Sequence, residues 1–200
     1  MQKYFPIVIF CYNRFSHLKR TFSFFNKNLN SKKYEIIIFS DGPKNKKDKI
    51  KILNIRNYLK TINHFKKKKI IERKKNFGLH DNIVNGVSNV LKKYTAAIFL
   101  EDDLQTNKYF LSNMDYLIRK FKNEKKIGCI SGYSYPIKIK KEYPDIYLIK
   151  GGECWGWATW SDRWKYFNKS ANKIYNHLKN TNQLKEFNFE KGNLKNLIKT

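Results

Sequence analysis

The sequence predicts an α/β fold, with a mainly parallel sheet and helices on both of its faces. Short apolar, β-branched runs alternate along the chain with segments whose apolar residues recur at helical spacing. The runs are apolar at consecutive positions, which is typical of strands covered on both faces. A chain of 200 residues is also long enough to bury a core without disulfides or a structural metal.

Five apolar runs predict the strands of this sheet. They are residues 7–11, 35–39, 69–72, 96–100 and 127–131. Between the runs, apolar residues recur every three or four positions, which predicts amphipathic helices. These stripes include Leu18 and Phe22, Ile52 and Ile55, Val87 and Val90, and Met114 and Leu117. Repeated strand–helix–strand units connect parallel neighbours, so we expect most strands to run the same way.

The alternation ends after residue 131. Residues 147–149 are a candidate for one more short strand, and the glycine- and tryptophan-rich segment 151–160 is expected to be a loop before helical residues. We predict one domain over residues 1–170 and a helical or partly disordered tail over 171–200. Because the tail stops without a closing element, we also interpret it as the start of a truncated acceptor or base region.

The sequence carries no membrane anchor that we can identify. No apolar window approaches the length of a spanning helix, and the N-terminal apolar run 5–12 is too short for a signal peptide. Cys11, Cys129 and Cys154 are far apart and form no CxxC pair, which favours a reduced chain. We therefore expect a cytoplasmic protein, with the inner face of the membrane as a further place of contact.

The chain is strongly basic, with 42 Lys and Arg against 16 Asp and Glu and a net charge of +26. Such a charge makes nucleic acid or an anionic membrane surface a candidate partner. The lysines are scattered over most polar segments, with one dense run at 66–69, and they accompany an excess of Asn, Ile, Tyr and Phe. This mixture is typical of a compositional bias. We do not expect nucleic acid as a partner, and we retain peripheral contact with an anionic membrane.

Three adjacent acids, Glu101, Asp102 and Asp103, follow the fourth predicted strand. In an open α/β sheet, ligands bind beyond the carboxyl ends of the strands. Carboxylates at that position are suited to a hard divalent cation that holds a diphosphate. The alternative is a polar loop whose negative charge favours the N-terminus of the next helix.

Other polar residues follow the remaining parallel strands and are expected at the same edge of the sheet. Arg14 can pair with phosphate oxygens, Asp41 can accept from a base N–H, and His80 can stack or donate. Each also has a simpler explanation: a solvated cation, a turn residue before Gly42, and a helix cap. Their combination on one edge favours a nucleoside diphosphate ligand.

Several motifs, in order and spacing, resemble the GT-A glycosyltransferases. The likeness is closest to family-2-like bacterial surface-polysaccharide enzymes and more distant to the N-acetylglucosaminyltransferase I group. It covers roughly residues 5–170 and implies the Rossmann-like GT-A fold. The motifs that carry it are 7–14, Ser40-Asp41-Gly42, Asn76-Phe77-Gly78-Leu79, Phe99-Leu100-Glu101-Asp102-Asp103-Leu104 and Trp155-Gly156-Trp157.

The resemblance implies specific roles for these residues. Asp103, the last acid of the DXD-type motif, would bind Mn²⁺ or Mg²⁺ directly. Glu101 and Asp102 would face the sugar or ribose and the water shell of the metal. Asp41 matches the position that contacts uracil, and the rest of the implied nucleotide-sugar site is Tyr12, Asn13, Arg14, Gly78 and His80.

The resemblance implies that the glycine- and tryptophan-rich segment lies near the donor sugar. Trp155, Gly156 and Trp157 are candidates to border the sugar or acceptor pocket, whereas Trp160 and Trp164 are expected in the core. An inverting transfer also needs a carboxylate base near the acceptor hydroxyl. We favour a base beyond Thr200. The alternative is an acid within the chain, for which Glu153 is the best candidate and Asp162 a weaker one.

The leading hypothesis is a metal-dependent, inverting glycosyltransferase that moves a sugar from a nucleotide sugar, expected to be UDP-linked. The acceptor would be a glycan or lipid-linked molecule in cell-surface polysaccharide synthesis. One alternative is a nucleotidyltransferase that activates a sugar phosphate, although Tyr12-Asn13-Arg14-Phe15 lacks the glycine-rich phosphate loop of that group. The other is a basic nucleic-acid-binding domain that uses the lysines at 66–69. The donor sugar, acceptor, linkage and oligomeric state are not predicted.

Overall fold

The computed structural model describes residues 4–134, 144–168 and 170–188. These residues form two compact units, one ending at Trp164 and the other beginning at Lys165. The predicted tail lies in the second unit, except that residues 189–200 are outside the described residues. Within that unit the structure contains α6 (Ala171–Asn180) and α7 (Leu184–Phe187). Ser170 caps α6, because its side chain accepts a hydrogen bond from the Lys173 N–H.

The first unit contains a six-stranded sheet in its described residues. Its strands are β1 (Ile7–Cys11), β2 (Glu35–Ser40), β3 (Lys67–Glu72), β4 (Ala96–Glu101), β5 (Ile130–Ser131) and β6 (Trp157–Trp160). Its helices are α1 (Phe15–Phe25), α2 (Lys46–Thr61), α3 (Gly78–Leu91), α4 (Phe110–Lys120) and the short α5 (Ser161–Trp164). A 3-10 turn at Ser31–Lys33 leads into β2.

The strands lie in the order β3-β2-β1-β4-β6-β5. β1 pairs in parallel with β2 and with β4, and β2 pairs in parallel with β3. β6 is antiparallel to β4, and β5 is antiparallel to β6. The prediction of a mainly parallel sheet is therefore confirmed. β3 and β5 form the two outer edges.

Two apolar layers cover the two faces of this sheet. One contains Ile7, Ile9 and Cys11 of β1 and receives α1, α2 and α4. The other contains Val8 and Phe10 and receives α3, with Trp164 packed against it. Since alternate residues of a strand point to opposite faces, the uninterrupted apolar run of β1 supplies both layers. Helices on both faces, and hence the α/β fold class, are confirmed.

Three expectations for the second half of the first unit are wrong. The run at 127–131 forms a strand only at Ile130–Ser131. Residues 147–149 form no strand and are exposed. The segment at 157–160, expected in a loop, is β6: the run Trp-Ala-Thr-Trp has the aromatic and β-branched character of a strand and inserts between β4 and β5. Residues 135–143, which follow the end of the predicted strand–helix alternation, lie outside the described residues.

No helix in the described ranges combines the length and apolar character needed to cross a bilayer.

Candidate active site

The carboxyl ends of β1, β2 and β4 meet at one edge of the sheet, because the three strands are parallel neighbours. The loops that leave them are joined directly. The Asp41 N–H donates to the Cys11 carbonyl over 2.9 Å, and the Tyr12 N–H donates to Asp102 Oδ2 over 3.2 Å. Residues distant in the sequence are therefore held together around this edge.

Arg14 forms a fork with the acids that follow β4. Its Nη1 donates to Asp103 Oδ2 over 2.8 Å, and its Nη2 makes a short ion pair with Asp102 Oδ1. The Asp102 side chain is only 3% exposed, whereas that of Asp103 is 36% exposed. Both oxygens of Asp102 are engaged, by Arg14 and by the Tyr12 N–H. Asp103 is thus the acid of this pair that faces solvent.

Burial and the repulsion between neighbouring carboxylates raise pKa values in the acidic triplet. The pKa of Asp102 is raised by burial, and Arg14 opposes this shift by attracting the carboxylate. The pKa of Glu101 is also raised by burial and by the charges of Asp103 and Asp102. Arg14 is therefore the cation that offsets the repulsion between these closely spaced carboxylates.

Asp41 is buried and serves as a hydrogen-bond acceptor for two loops. Its Oδ1 accepts from the N–H groups of Gly42 and Phe77, at 2.8 and 2.9 Å. Its Oδ2 accepts from the Gly78 N–H and from Asn76 Nδ2, both at 3.1 Å. A carboxylate offers about four lone-pair sites, and here four protein donors occupy them. A base N–H could reach this carboxylate only by displacing one of them.

The loops around Asp41 are packed without space between them. A Cβ at Gly42 would lie 2.4 Å from the Lys75 carbonyl, so only glycine allows this approach. Arg56 of α2 joins the same region, since its Nη2 donates to the Arg73 carbonyl over 2.8 Å. Arg56 was not among the residues predicted from the sequence, and Asn76 was named only within the motif 76–79, because the roles of both depend on partners far away in the chain.

Tyr12 and Asn13 connect this edge to the first turn of α2. The Tyr12 hydroxyl donates to Asp48 Oδ2 over 2.6 Å, and Asn13 Nδ2 donates to Asp48 Oδ1 over 2.8 Å. Burial and the hydrogen bond to Asp48 raise the pKa of Tyr12 to about 12. The same hydrogen bonds lower the pKa of Asp48. Asn45 caps the helix by accepting from the Asp48 N–H, the signature of a helix start that could have identified this region.

Gly78 and His80 begin α3 beside the Asp41 cluster. Gly78 has φ of +73°, a left-handed conformation that favours glycine. His80 is the third residue of the helix, is exposed, and contacts Asp81 through Nδ1 at 3.1 Å. The alternative in which His80 caps the helix is therefore wrong, because the helix already begins at Gly78.

Because β6 is antiparallel to β4, the residues that precede β6 lie at the sheet edge that carries the acidic triplet. Trp157 pairs with Phe99, so Trp155 and Gly156 precede the strand at the carboxyl end of β4. Trp155 is exposed and packs edge-to-face on Tyr133, with ring centroids 4.7 Å apart. Gly156 has φ of +74°, and its carbonyl accepts from the Gly132 N–H over 2.7 Å.

Trp157 lies in a strand and not in the expected loop. Its ring is 4.8 Å from that of Phe99 and 6.0 Å from that of Trp164, so it packs against the second apolar layer. Trp160 is buried, and its Nε1 donates to the Ile118 carbonyl over 3.2 Å. Trp164 is partly buried and donates to Ser88 Oγ over 2.9 Å. Trp160 and Trp164 thus have the core positions expected of them.

The two candidate bases lie at opposite ends of β6. Glu153 is half-buried and precedes the strand, so it belongs to the edge that carries Asp102 and Asp103. Asp162 follows the strand, where the Ser161 N–H donates to the carbonyl of Thr95 before β4. It pairs with Lys125 and Arg163. Asp162 therefore cannot act at the edge that carries the acidic triplet.

Side chains of the described residues supply only part of the ligand shell that a divalent cation requires. Within the described residues, no three His, Cys, Asp or Glu side chains form a group that could hold a metal by themselves. Cations that act on phosphates are commonly held by one or two carboxylates, with phosphate and water completing the shell. Asp103, whose carboxylate is partly exposed to solvent, fits that arrangement.

No curated protein matches the sequence. The matching structures include crystal structures of TarS from Staphylococcus aureus.

 The structure of TarS 1-349 is 15% identical, with 79% of this chain and 47% of that chain covered and a TM-score of 0.48. TarS 1-349 in complex with UDP is 16% identical, with 70% and 40% covered and a TM-score of 0.46.

A third structure is the mannosyltransferase PcManGT from Pyrobaculum calidifontis in complex with GDP-Man and Mn²⁺. It is 12% identical, with 67% of this chain and 37% of that chain covered and a TM-score of 0.45. The chain spans less than half the length of each of these three structures. The more distant likeness to the N-acetylglucosaminyltransferase I group stays a prediction.

A family model described as "Glycosyl transferase family 2" matches residues 7–188. That range includes all six strands and every residue discussed at the edge of the sheet. The match confirms the resemblance predicted from the ordered motifs. The chain belongs to glycosyl transferase family 2.

Proposed function

We propose that this chain forms the nucleotide-sugar-binding part of a metal-dependent, inverting glycosyltransferase. The donor is a nucleotide sugar, UDP-linked in our hypothesis, and the acceptor is a glycan or lipid-linked molecule of cell-surface polysaccharide synthesis at the cytoplasmic face of the membrane. The observation that carries the proposal is the juxtaposition of Arg14 with Asp102 and Asp103 at the edge of the sheet, in a chain of this family.

Asp103 would hold the divalent cation, Mn²⁺ or Mg²⁺, together with donor phosphates and water. When bound there, the cation stabilises the negative charge that develops on the departing diphosphate. Asp102 has a different role in this proposal. It is buried, and it fixes the loop after β1 through the Tyr12 N–H and orients Arg14.

Arg14 supplies a positive charge beside this position. Its guanidinium is shared between two carboxylates, which leaves further N–H donors on a side chain that is open to solvent, and these donors could meet a diphosphate. Tyr12 and Asn13 would line the nucleoside side, where Asp48 fixes both of them. Asp41 would shape the base pocket through the loop that contains Gly78, with His80 exposed at the start of the next helix.

The sugar side of the proposed site is formed by the segment before β6. Trp155 offers an exposed aromatic face, and Gly156 brings the backbone close to the loop after β5. Trp157 would support this segment from the core. Glu101 lies at the end of β4 on the same edge, where burial and its acidic neighbours raise its pKa.

The base that accepts the proton of the acceptor hydroxyl would be Glu153 or a carboxylate outside the described residues. Glu153 is the candidate because its segment lies at the correct end of β6, where attack on the donor would take place. A carboxylate in this role accepts the hydroxyl proton as the new glycosidic bond forms and the bond to the diphosphate breaks.

Titration calorimetry with UDP and MnCl₂ tests the proposal. The intact chain should bind UDP more tightly with Mn²⁺ than without it, and Asp103→Ala should remove this dependence. Asp162→Ala is a matched control, since Asp162 is 39% exposed, also pairs with an arginine, and lies at the opposite end of the sheet. This control should bind as the unchanged chain does. Absence of UDP binding by the unchanged chain, or equal effects of the two substitutions, would contradict the proposal.

A further inference from the structure

The outer face of α2 exposes two aliphatic side chains in a row that begins and ends with a lysine. Ile50 is 67% exposed and Leu53 is 56% exposed. Together with Lys46, Asn57 and Lys60 they recur at alternating spacings of four and three residues, which places them on one face of the helix. The opposite face is buried through Ile52, Ile55 and Leu59.

The charge of this helix is strongly one-sided. Lys47, Lys49 and Lys51 flank the exposed row, and all three are exposed. The single acid of α2, Asp48, is buried and accepts hydrogen bonds from Tyr12 and Asn13. The surface of α2 therefore presents lysines and aliphatic groups, while its negative charge is turned toward the rest of the domain.

We propose that the outer face of α2 docks on an anionic membrane surface. Lysine ammonium groups would lie at the level of the lipid headgroups, and Ile50 and Leu53 would enter the boundary with the acyl chains. Basic helices with exposed apolar residues bind bilayers in this way, through charge attraction and apolar burial together. The proposal does not depend on the reaction that the domain catalyses.

Two features favour a bilayer over nucleic acid as the partner. Single-stranded nucleic acid is bound by aromatic side chains that stack with bases, and duplex bases are read by side chains that hydrogen-bond to their edges, such as Arg, Lys, Asn and Gln. At the centre of the row on α2 stand Ile50 and Leu53, which can neither stack with a base nor hydrogen-bond to one. An aliphatic side chain gains nothing from a phosphate backbone but is stabilised in an apolar phase.

This surface is also coupled to the candidate site. Asp48, in the first turn of α2, holds Tyr12 and Asn13, and the loop from Asp41 leads directly into the helix. A helix lying on a membrane would thus keep the carboxyl edge of the sheet at a fixed distance from lipid headgroups.

Vesicle sedimentation with the full chain tests this inference. Phosphatidylcholine vesicles with and without phosphatidylglycerol are the probes, and binding is expected only where the anionic lipid is present. Lys46→Gln with Lys60→Gln should weaken binding by about 25-fold, because each lysine at the surface contributes roughly fivefold. Lys92→Gln with Lys93→Gln removes the same charge at the end of α3, on the other face of the sheet, and should have a much smaller effect.

A second pair of variants separates apolar insertion from charge. Ile50→Ser with Leu53→Ser keeps every lysine and should weaken binding by about tenfold. The matched control is Leu148→Ser with Ile149→Ser, whose side chains are 72% and 58% exposed in another part of the domain. All four aliphatic residues are exposed, so circular dichroism should show no loss of folding.

Three outcomes would overturn the inference. The first is equal binding to vesicles with and without the anionic lipid. The second is a loss in the Lys92 and Lys93 variant, or in the Leu148 and Ile149 variant, as large as in its α2 counterpart. The third is unchanged binding by the Ile50 and Leu53 variant together with full competition by duplex DNA, which would assign the face to nucleic acid.

Discussion

Asp41 follows β2 and Asp103 follows β4, on either side of β1, yet their carboxylates have different uses. Asp41 is buried and accepts four hydrogen bonds from the protein. Asp103 is partly exposed and accepts one from Arg14, whose side chain is itself open to solvent. A carboxylate saturated by protein donors stabilises the fold, whereas one with open lone pairs can receive a ligand. The position after a strand is therefore not enough to assign a ligand-binding role.

The largest effect is expected from Asp41→Asn. The substitution replaces an acceptor oxygen by an NH₂ group that faces N–H donors, so it should lower the free energy of unfolding by about 3 kcal/mol. Urea unfolding followed by circular dichroism measures this. Asp103→Asn is the control and should change stability by less than about 0.5 kcal/mol, as expected for a solvent-facing pair. Equal losses in the two variants would remove the distinction between the two aspartates.

Asp102→Asn should have the next largest effect. Asp102 adjoins Asp103 in the sequence, but it resembles Asp41 because it is buried and its oxygens are engaged by protein donors. Its carboxylate is buried and accepts from the Tyr12 N–H and from Arg14. We expect the free energy of unfolding to fall by about 2 kcal/mol, measured by the same urea method. A stability equal to that of the unchanged chain would place Asp102 with the open carboxylate and not with the saturated one.

Tyr12 gives a smaller effect that depends on pH. The folded-state pKa of Tyr12 is raised from 10.0 to about 12 by burial and by its hydrogen bond to Asp48. The stabilisation that accompanies a raised pKa is complete below about pH 10 and is lost as the pH rises through about 12. Tyr12→Phe should therefore be less stable than the unchanged chain by about 1 kcal/mol at neutral pH, a difference that disappears in alkali.

Urea unfolding at a series of pH values measures this difference. Tyr116→Phe is the control, since Tyr116 is exposed on α4, and its stability should follow that of the unchanged chain at each pH. A gap between Tyr12→Phe and the unchanged chain that widens in alkali would show the opposite sign of linkage.

The smallest effect concerns the open carboxylate itself. Arg14 competes with a divalent cation for Asp103, so Arg14→Gln should raise the affinity for Mn²⁺ in the absence of nucleotide by about threefold, or about 0.7 kcal/mol. Electron paramagnetic resonance of free Mn²⁺ measures the binding. Arg20→Gln removes an exposed arginine of α1 and should leave the affinity unchanged. Weaker Mn²⁺ binding by Arg14→Gln would show that Arg14 positions the acid and does not compete for it.

The sequence was sufficient for the features that depend on local pattern. The apolar runs of β1, β2 and β4 identified buried parallel strands, and parallel strands place their carboxyl ends at one edge, which brought Arg14 and the acidic triplet together. The runs also predicted helices on both faces of the sheet.

Features that depend on distant partners could not be predicted in this way. β6 forms because Trp157–Trp160 pairs with β4 and β5, and the aromatic and β-branched character of only four residues is not enough to distinguish a strand from a loop. The direction of β6, which places Glu153 and Asp162 at opposite ends of the sheet, follows only from that pairing. The saturation of Asp41 likewise depends on donors from residues 76–78, more than thirty positions away.

The order of the strands has a consequence for how copies of the protein meet. An outer strand with free N–H and C=O groups is a template on which another chain can add a strand, and this is a common origin of aggregation. Here one outer strand, β3, carries Lys67, Lys68 and Lys69, so two such edges repel each other. The other, β5, has two residues and is too short to hold a partner. Growth of the sheet from molecule to molecule is thus opposed at both of its borders.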